Sequence, residues 1–217
     1  MSRYGAFAAS LLTGTLLIIA AGALHPNLTG DGAAQLGAIA RCDAWRAIHW
    51  AFLFGIGLSL TGLAGVAGGY AGTAGEALAR VGLLVATFAY AAWVVIVSLM
   101  LGAGWALAQS YTASDAGMTA THAVFLYDMV RPFGLAAQRI AGFALGLATG
   151  VLGWGALRGR VLPRWLGWGG VGAGVVGVAL AVAFGEATKA DQAAFVLPVL
   201  WQAAIAVVVL AGRARAA

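Results

Sequence analysis

Six apolar runs, each about as long as a lipid bilayer is thick, leave this chain few choices of fold. The hydrocarbon core of a membrane is about 30 Å across, and a helix rising about 1.5 Å per residue crosses it in roughly 20 residues. Runs of that length occupy about 4–24, 45–70, 80–108, 133–157, 165–185 and 193–211 of the 217 residues. What remains is connection, with no room for a soluble domain. The expected fold is all-α: a single polytopic membrane domain, six transmembrane helices in one bundle. Composition agrees, since 62% of residues are hydrophobic where soluble domains hold about 45–50%, and mean hydropathy is +0.94.

The breaks between runs have local causes. His25-Pro26-Asn27 stops the first span, because proline lacks an amide hydrogen and biases its predecessor away from helix. Residues 25–43 form the longest polar loop, with Gly30-Asp31-Gly32 as a turn signal. Asn27-Leu28-Thr29 matches a glycosylation triplet, which arises by chance and is discounted. Asp43 is the expected N-cap of the second span. Arg80 is expected to open the third span, and 119–130 reads as a short amphipathic segment, either an interfacial helix or the entry to the fourth span, interrupted at 128–132. Arg3 ahead of an apolar run and Ala21-Gly22-Ala23 resemble a secretory signal; the segment is read instead as a retained first span.

Six spans put both termini on one side. With that side cytoplasmic, it holds Arg3, Arg80, Arg158, Arg160, Arg164, Arg213 and Arg215, seven bases against Glu76 alone. The other side holds Arg41, Arg46, Arg131, Arg139 and Lys189, five bases against six acids. Basic residues accumulate on cytoplasmic loops, and the tight 158–164 cluster tips the choice to both termini inside. The formal charge of +5 is thereby accounted for by topology. No basic patch forms, so no nucleic-acid partner is expected. A single cysteine excludes an internal disulfide.

Glycine is abundant, 33 residues, and sits within spans. Little hydrophobic force draws helices together in lipid, so small residues that let backbones approach mark packing faces. Gly65 and Gly69, then Gly142, Gly146 and Gly150, then Gly170 and Gly174 recur at four-residue spacing. Such faces serve packing inside one bundle, or an interface with a membrane-protein partner or a second copy. Trp45, Trp50, Trp165 and Trp168 fall near span ends, where indole rings anchor at the headgroup level.

Chemistry is sparse. No nucleophile elbow, phosphate-cradling loop or pair of intramembrane carboxylates occurs, so no catalytic residue is assigned and an enzyme is not favoured. Residues 41–50 concentrate two arginines, an acid, the cysteine, a histidine and two tryptophans. The topology places His25, His49 and His122 all at the outer face. Imidazole ligates metals and haem iron, so His25, Cys42, Asp43, His49 and His122 are the candidate ligands of a haem or transition metal. A second constellation, His49, His122, Asp128, Arg131 and Arg139, is the candidate small-molecule site. Asp128 and Arg131 lie three residues apart and can pair locally; Arg139 can accept an external anion or meet Glu186. Gln202, deep in the last span, calls for an interhelical hydrogen bond.

The stretch Arg160-Val161-Leu162-Pro163-Arg164-Trp165-Leu166-Gly167-Trp168-Gly169-Gly170-Val171-Gly172-Ala173, followed by Phe195-Val196-Leu197-Pro198-Val199-Leu200-Trp201-Gln202, resembles a family of bacterial six-helix membrane proteins of unknown function. The likeness covers about 142–212. That family often has an acid where this chain has Gln202. The resemblance implies six helices and the bacterial cytoplasmic membrane, and implies no activity. Three functions fit: an accessory or structural subunit of a membrane complex, a protein that binds or transports a small molecule through an outward-facing cavity, or an outer-face redox protein.

Overall fold

Long apolar runs, with few charged residues to interrupt them, build long helices. A computed structural model describes residues 3–113, 117–183 and 189–212. Eight α-helices and no strand occur among them. Helix α1 spans Arg3–Leu24, α2 Gly32–Ala40, α3 Trp45–Gly68 and α4 Glu76–Leu99. A π-helical turn, Met100–Gly104, carries α4 on into α5, Trp105–Ala113. Then come α6, Gly117–Gly159, α7, Arg164–Ala183, and α8, Lys189–Leu210. Six of these segments are long and apolar enough to cross a membrane, the third being α4 and α5 together.

The six close into a ring. Helix α1 packs on α3, α3 on α4, α4 on α6, α6 on α7, α7 on α8, and α8 returns to α1. Two members are much longer than a bilayer requires: α4 with α5 covers 38 residues and α6 covers 43. At about 1.5 Å per residue each exceeds the roughly 30 Å hydrocarbon core by about 27 Å or more. Their extra turns meet α2 and form a cap with its own core of Leu36, Ile39, Trp45, Ala108, Ala123 and Tyr127. A larger core runs through the ring itself.

Four expectations change. Residues 119–130 are helix entry rather than an interfacial helix, forming the first turns of α6, and the interruption expected at 128–132 is absent because α6 passes through Pro132 unbroken. Proline removes one backbone hydrogen bond, a loss that neighbouring helices can make good inside a membrane protein. The third span starts at Glu76 rather than Arg80, and Arg80 turns back to pair with Glu76. Asp43 does not cap α3, whose N-cap is Ala44 with no side-chain bond. The capping aspartate is Asp31, which accepts from the Ala34 amide at 2.8 Å and so starts α2 within the expected loop. Trp45, expected as a belt anchor, is 0% exposed and donates its indole N–H to the Met100 carbonyl at 3.0 Å. Trp165 and Trp168, 62% and 59% exposed, do face outward.

Helices α6 and α7 touch backbone to backbone. A methyl group added at Gly174 would lie 2.5 Å from the Gly150 Cα and 2.7 Å from the Gly146 carbonyl oxygen. Gly170 is covered by the Trp201 ring, whose N–H donates to the Leu166 carbonyl at 2.8 Å. Gly65 and Gly69 face Phe7 and Tyr4 of α1, and Gly142 lies beside Ala194 with room to spare. Gln202 meets the requirement set for it: the buried Tyr90 hydroxyl donates to its Oε1 at 2.7 Å, tying α4 to α8. Tyr90→Phe should lower stability by about 0.6 kcal/mol, and by no more than about 1.7, the range of such bonds in membranes. Thermal unfolding in detergent measures it.

Candidate functional site

The end of the ring beneath the cap encloses a cavity of about 750 Å³, within the roughly 300–1,000 Å³ of small-molecule sites. Its floor is apolar and aromatic: Ile18, Phe52, Trp93, Val97, Phe195 and Val199, from α1, α3, α4 and α8. Its upper wall is polar, with His25, Gln35, His49, Tyr127, Arg131 and Gln138. The π turn contributes Met100, Ala103 and Gly104, and α6 contributes Val130, Arg131 and Gly134 beside Pro132. Gly134 faces Ile96 and Leu99, so the π turn and Pro132 lie at one level. The π turn on one long helix and the proline on the other thus sit side by side where the two pass from ring to cap.

Two imidazoles stand together in this wall. His25 closes the end of α1 and His49 lies one turn into α3, with ring centroids 5.4 Å apart. Trp45 lies 5.0 Å from His25 and 4.2 Å from His49. From His49 the rings continue through Phe52 to Trp93 and Phe195, the last two centroids 3.8 Å apart. His25 Nδ1 lies 2.8 Å from the Pro26 carbonyl, and His49 Nδ1 lies 2.8 Å from the Trp45 carbonyl. A carbonyl only accepts, so each Nδ1 carries the proton and each neutral ring keeps Nε2 as a lone-pair acceptor.

Around the imidazoles the polar groups are organised by the cap. Tyr127 donates to Gln35 Oε1 at 2.9 Å, and Gln35 donates from Nε2 to the Gly30 carbonyl at 3.0 Å. Arg131 is half-buried, and no ion pair or hydrogen bond engages it among the described residues. It is also the one formally charged side chain in the described wall.

Burial holds the His25 pKa below its ordinary 6.5, the bond to Pro26 opposing the shift only in part. The unfolded chain therefore takes up a proton at a higher pH than the folded one. Stability from this group is intact above about pH 6.5 and falls as the pH drops below it, until the folded ring itself titrates. Melting temperatures measured across pH 5–8 should show this loss in the wild type, and a flatter profile in His25→Gln.

Of the candidate residues named from the sequence, the cavity gathers His25, His49 and Arg131. The other five lie outside its wall. His122 is exposed on α6. Asp128 lies over the Gly32 Cα, where its charge faces the N-terminus of α2. Arg139 donates from Nε to the Ala181 carbonyl at 2.7 Å and from Nη2 to the Val182 carbonyl at 2.9 Å, closing the last turn of α7. Its other expected partner, Glu186, lies outside the described residues. Cys42 is a free, half-buried thiol wedged between the two cores, and Asp43 is exposed. The ligand set His25, Cys42, Asp43, His49 and His122 does not assemble: among the described residues no three His, Cys, Asp or Glu side chains come close enough to hold a metal.

Gln35, Tyr127, Phe52, Trp93 and Phe195 could not be singled out from the sequence. Tyrosine and glutamine in an amphipathic segment were the available signal, but nothing local says that α2 folds back onto α6. Comparison with protein-family models, with curated proteins and with solved structures finds no match for this chain.

Proposed function

We propose that this is a multi-pass protein of the bacterial cytoplasmic membrane, both termini inside, that binds an amphiphilic small molecule in a cavity facing the outer side. The cavity carries the reading. It pairs an apolar floor with a wall of a few convergent polar groups, the make-up of small-molecule sites. The orientation is supported by Arg158, Arg160 and Arg164, grouped at the far end of the ring. The bacterial assignment rests on the 160–173 and 195–202 stretches.

The accessory-subunit reading drew on small-residue faces free to meet a partner. Gly146, Gly150, Gly170 and Gly174 are occupied within the chain, which weakens that support, while Gly142 keeps room beside Ala194. Access to the cavity favours an amphiphile over a water-soluble ligand. Gly22 and Ala23 on α1 line the cavity and are exposed, as are Val196 and Leu200 on α8, 46% and 49% exposed. The wall therefore reaches the surface through apolar residues, where bilayer components arrive, and through exposed Asn27 and Thr29 at its polar end.

The test is quenching of tryptophan fluorescence by a dibromo-acyl amphiphile added to the purified chain, since bromine quenches on contact. Saturable quenching that shrinks in Trp93→Phe is the expected result. Quenching that rises linearly and is equal in both proteins would end the proposal.

A further inference from the structure

We infer that the ligand's head is anionic, a carboxylate or phosphate on an acyl chain, and that Arg131 is the group that holds it. This rests on the binding reading above and adds the chemistry of the head. Three observations converge. The cavity has one formally charged side chain among its described lining residues, Arg131, and no acid. Arg131 is half-buried yet engages no carboxylate or carbonyl among the described residues, although Asp128 is three positions away on the same helix. The contrast with Arg139, also on α6, is direct: that guanidinium is engaged on two carbonyls of α7.

A guanidinium presents five donors in a planar fork matched to carboxylate and phosphate, and it cannot shed its charge. Half-buried beside Tyr127 at the polar rim of the chamber, and held by no ion pair or hydrogen bond among the described residues, that of Arg131 is free to engage an arriving anion. Asn27, Thr29 and Gln138 also line the chamber but are uncharged, so among the described lining residues only Arg131 brings a positive charge. Tyr127 and Gln35 direct their donors to each other and to Gly30, and the neutral imidazoles offer acceptors. The chain of such a ligand would extend from Arg131 on α6 over Trp93 and Phe195 toward Leu200, where the wall is apolar and reaches the surface.

The experiment compares three dibromo-acyl probes of equal chain length, ending in carboxylate, alcohol or trimethylammonium, by tryptophan quenching of the full chain in zwitterionic detergent. The carboxylate should half-saturate at a concentration about tenfold or more below the alcohol, as a charge-assisted bond implies, and the ammonium should be weakest. Arg131→Gln should bring acid and alcohol together, and Arg131→Lys should restore part of the preference, which separates loss of charge from loss of fold. A fourth probe, a dibromo-acyl anionic phospholipid, identifies the source: tighter binding than the free acid assigns a membrane lipid, weaker binding a free acyl acid, and both keep the anion on Arg131. Acid and alcohol binding alike in the wild type, or a preference that survives Arg131→Gln, would overturn the inference and leave the cavity reading standing. Absence of saturable quenching by every probe would remove both.

Discussion

Gly174→Leu is expected to prevent α6 and α7 from packing, leaving a protein that aggregates or is degraded when expressed. Even the first carbon of a side chain at this position has no room, because a Cβ would sit 2.4 Å from the Gly150 backbone nitrogen. Flexible side chains can move aside, but here the obstacle is the opposing backbone. The smallest version, Gly174→Ala, should cost about 1–3 kcal/mol as overpacking does, lowering the melting temperature by roughly 2–4 °C for each kcal/mol. Gly172→Ala is the matched control on the same helix, since nothing lies within 4 Å of its added carbon. It should melt with the wild type, and a helix-propensity effect would instead move both variants in the same direction.

Gly22→Trp should have the opposite profile, an unchanged fold and a lost site. Gly22 shares the cavity-lining face of α1 with Ile18 and Ile19, and an added carbon there meets nothing within 4 Å. An indole built from that point is expected to occupy the chamber and to weaken amphiphile binding by about tenfold or more, the effect of filling a site rather than trimming it. Melting temperature and elution volume should stay with the wild type. Quenching titrations beside thermal unfolding make the comparison, and binding that persists at wild-type strength would place the ligand elsewhere.

The spans were legible because hydrocarbon thickness imposes a length and lipid imposes a composition, both of which are written locally. The cap was not, for reasons visible in particular residues. Pro132 reads as a break, yet α6 continues through it. The Gly30-Asp31-Gly32 turn was legible, but that Asp31 caps a helix packed on α5 and α6 depends on residues far along the chain. The π turn at Met100–Gly104 has no period of its own to detect, and the Trp45 indole bonded to its Met100 carbonyl is a tertiary contact.

The site was legible by half. Topology alone placed His25 and His49 on one face, and the structure brings their rings within 5.4 Å. The same argument placed His122 and Arg139 there, because a count of sides fixes depth and says nothing of direction. Arg139 turned to the carbonyls of α7, a choice made by the distance between two helices that no spacing encodes.

The central claim is that the chamber under the cap holds one amphiphile per chain. A native mass spectrum of the purified protein, titrated with a long-chain carboxylate, tests it most directly. One adduct per chain that saturates in the wild type and is missing from Gly22→Trp is the predicted result. A ladder of adducts growing without saturation, the same in both proteins, would contradict the claim.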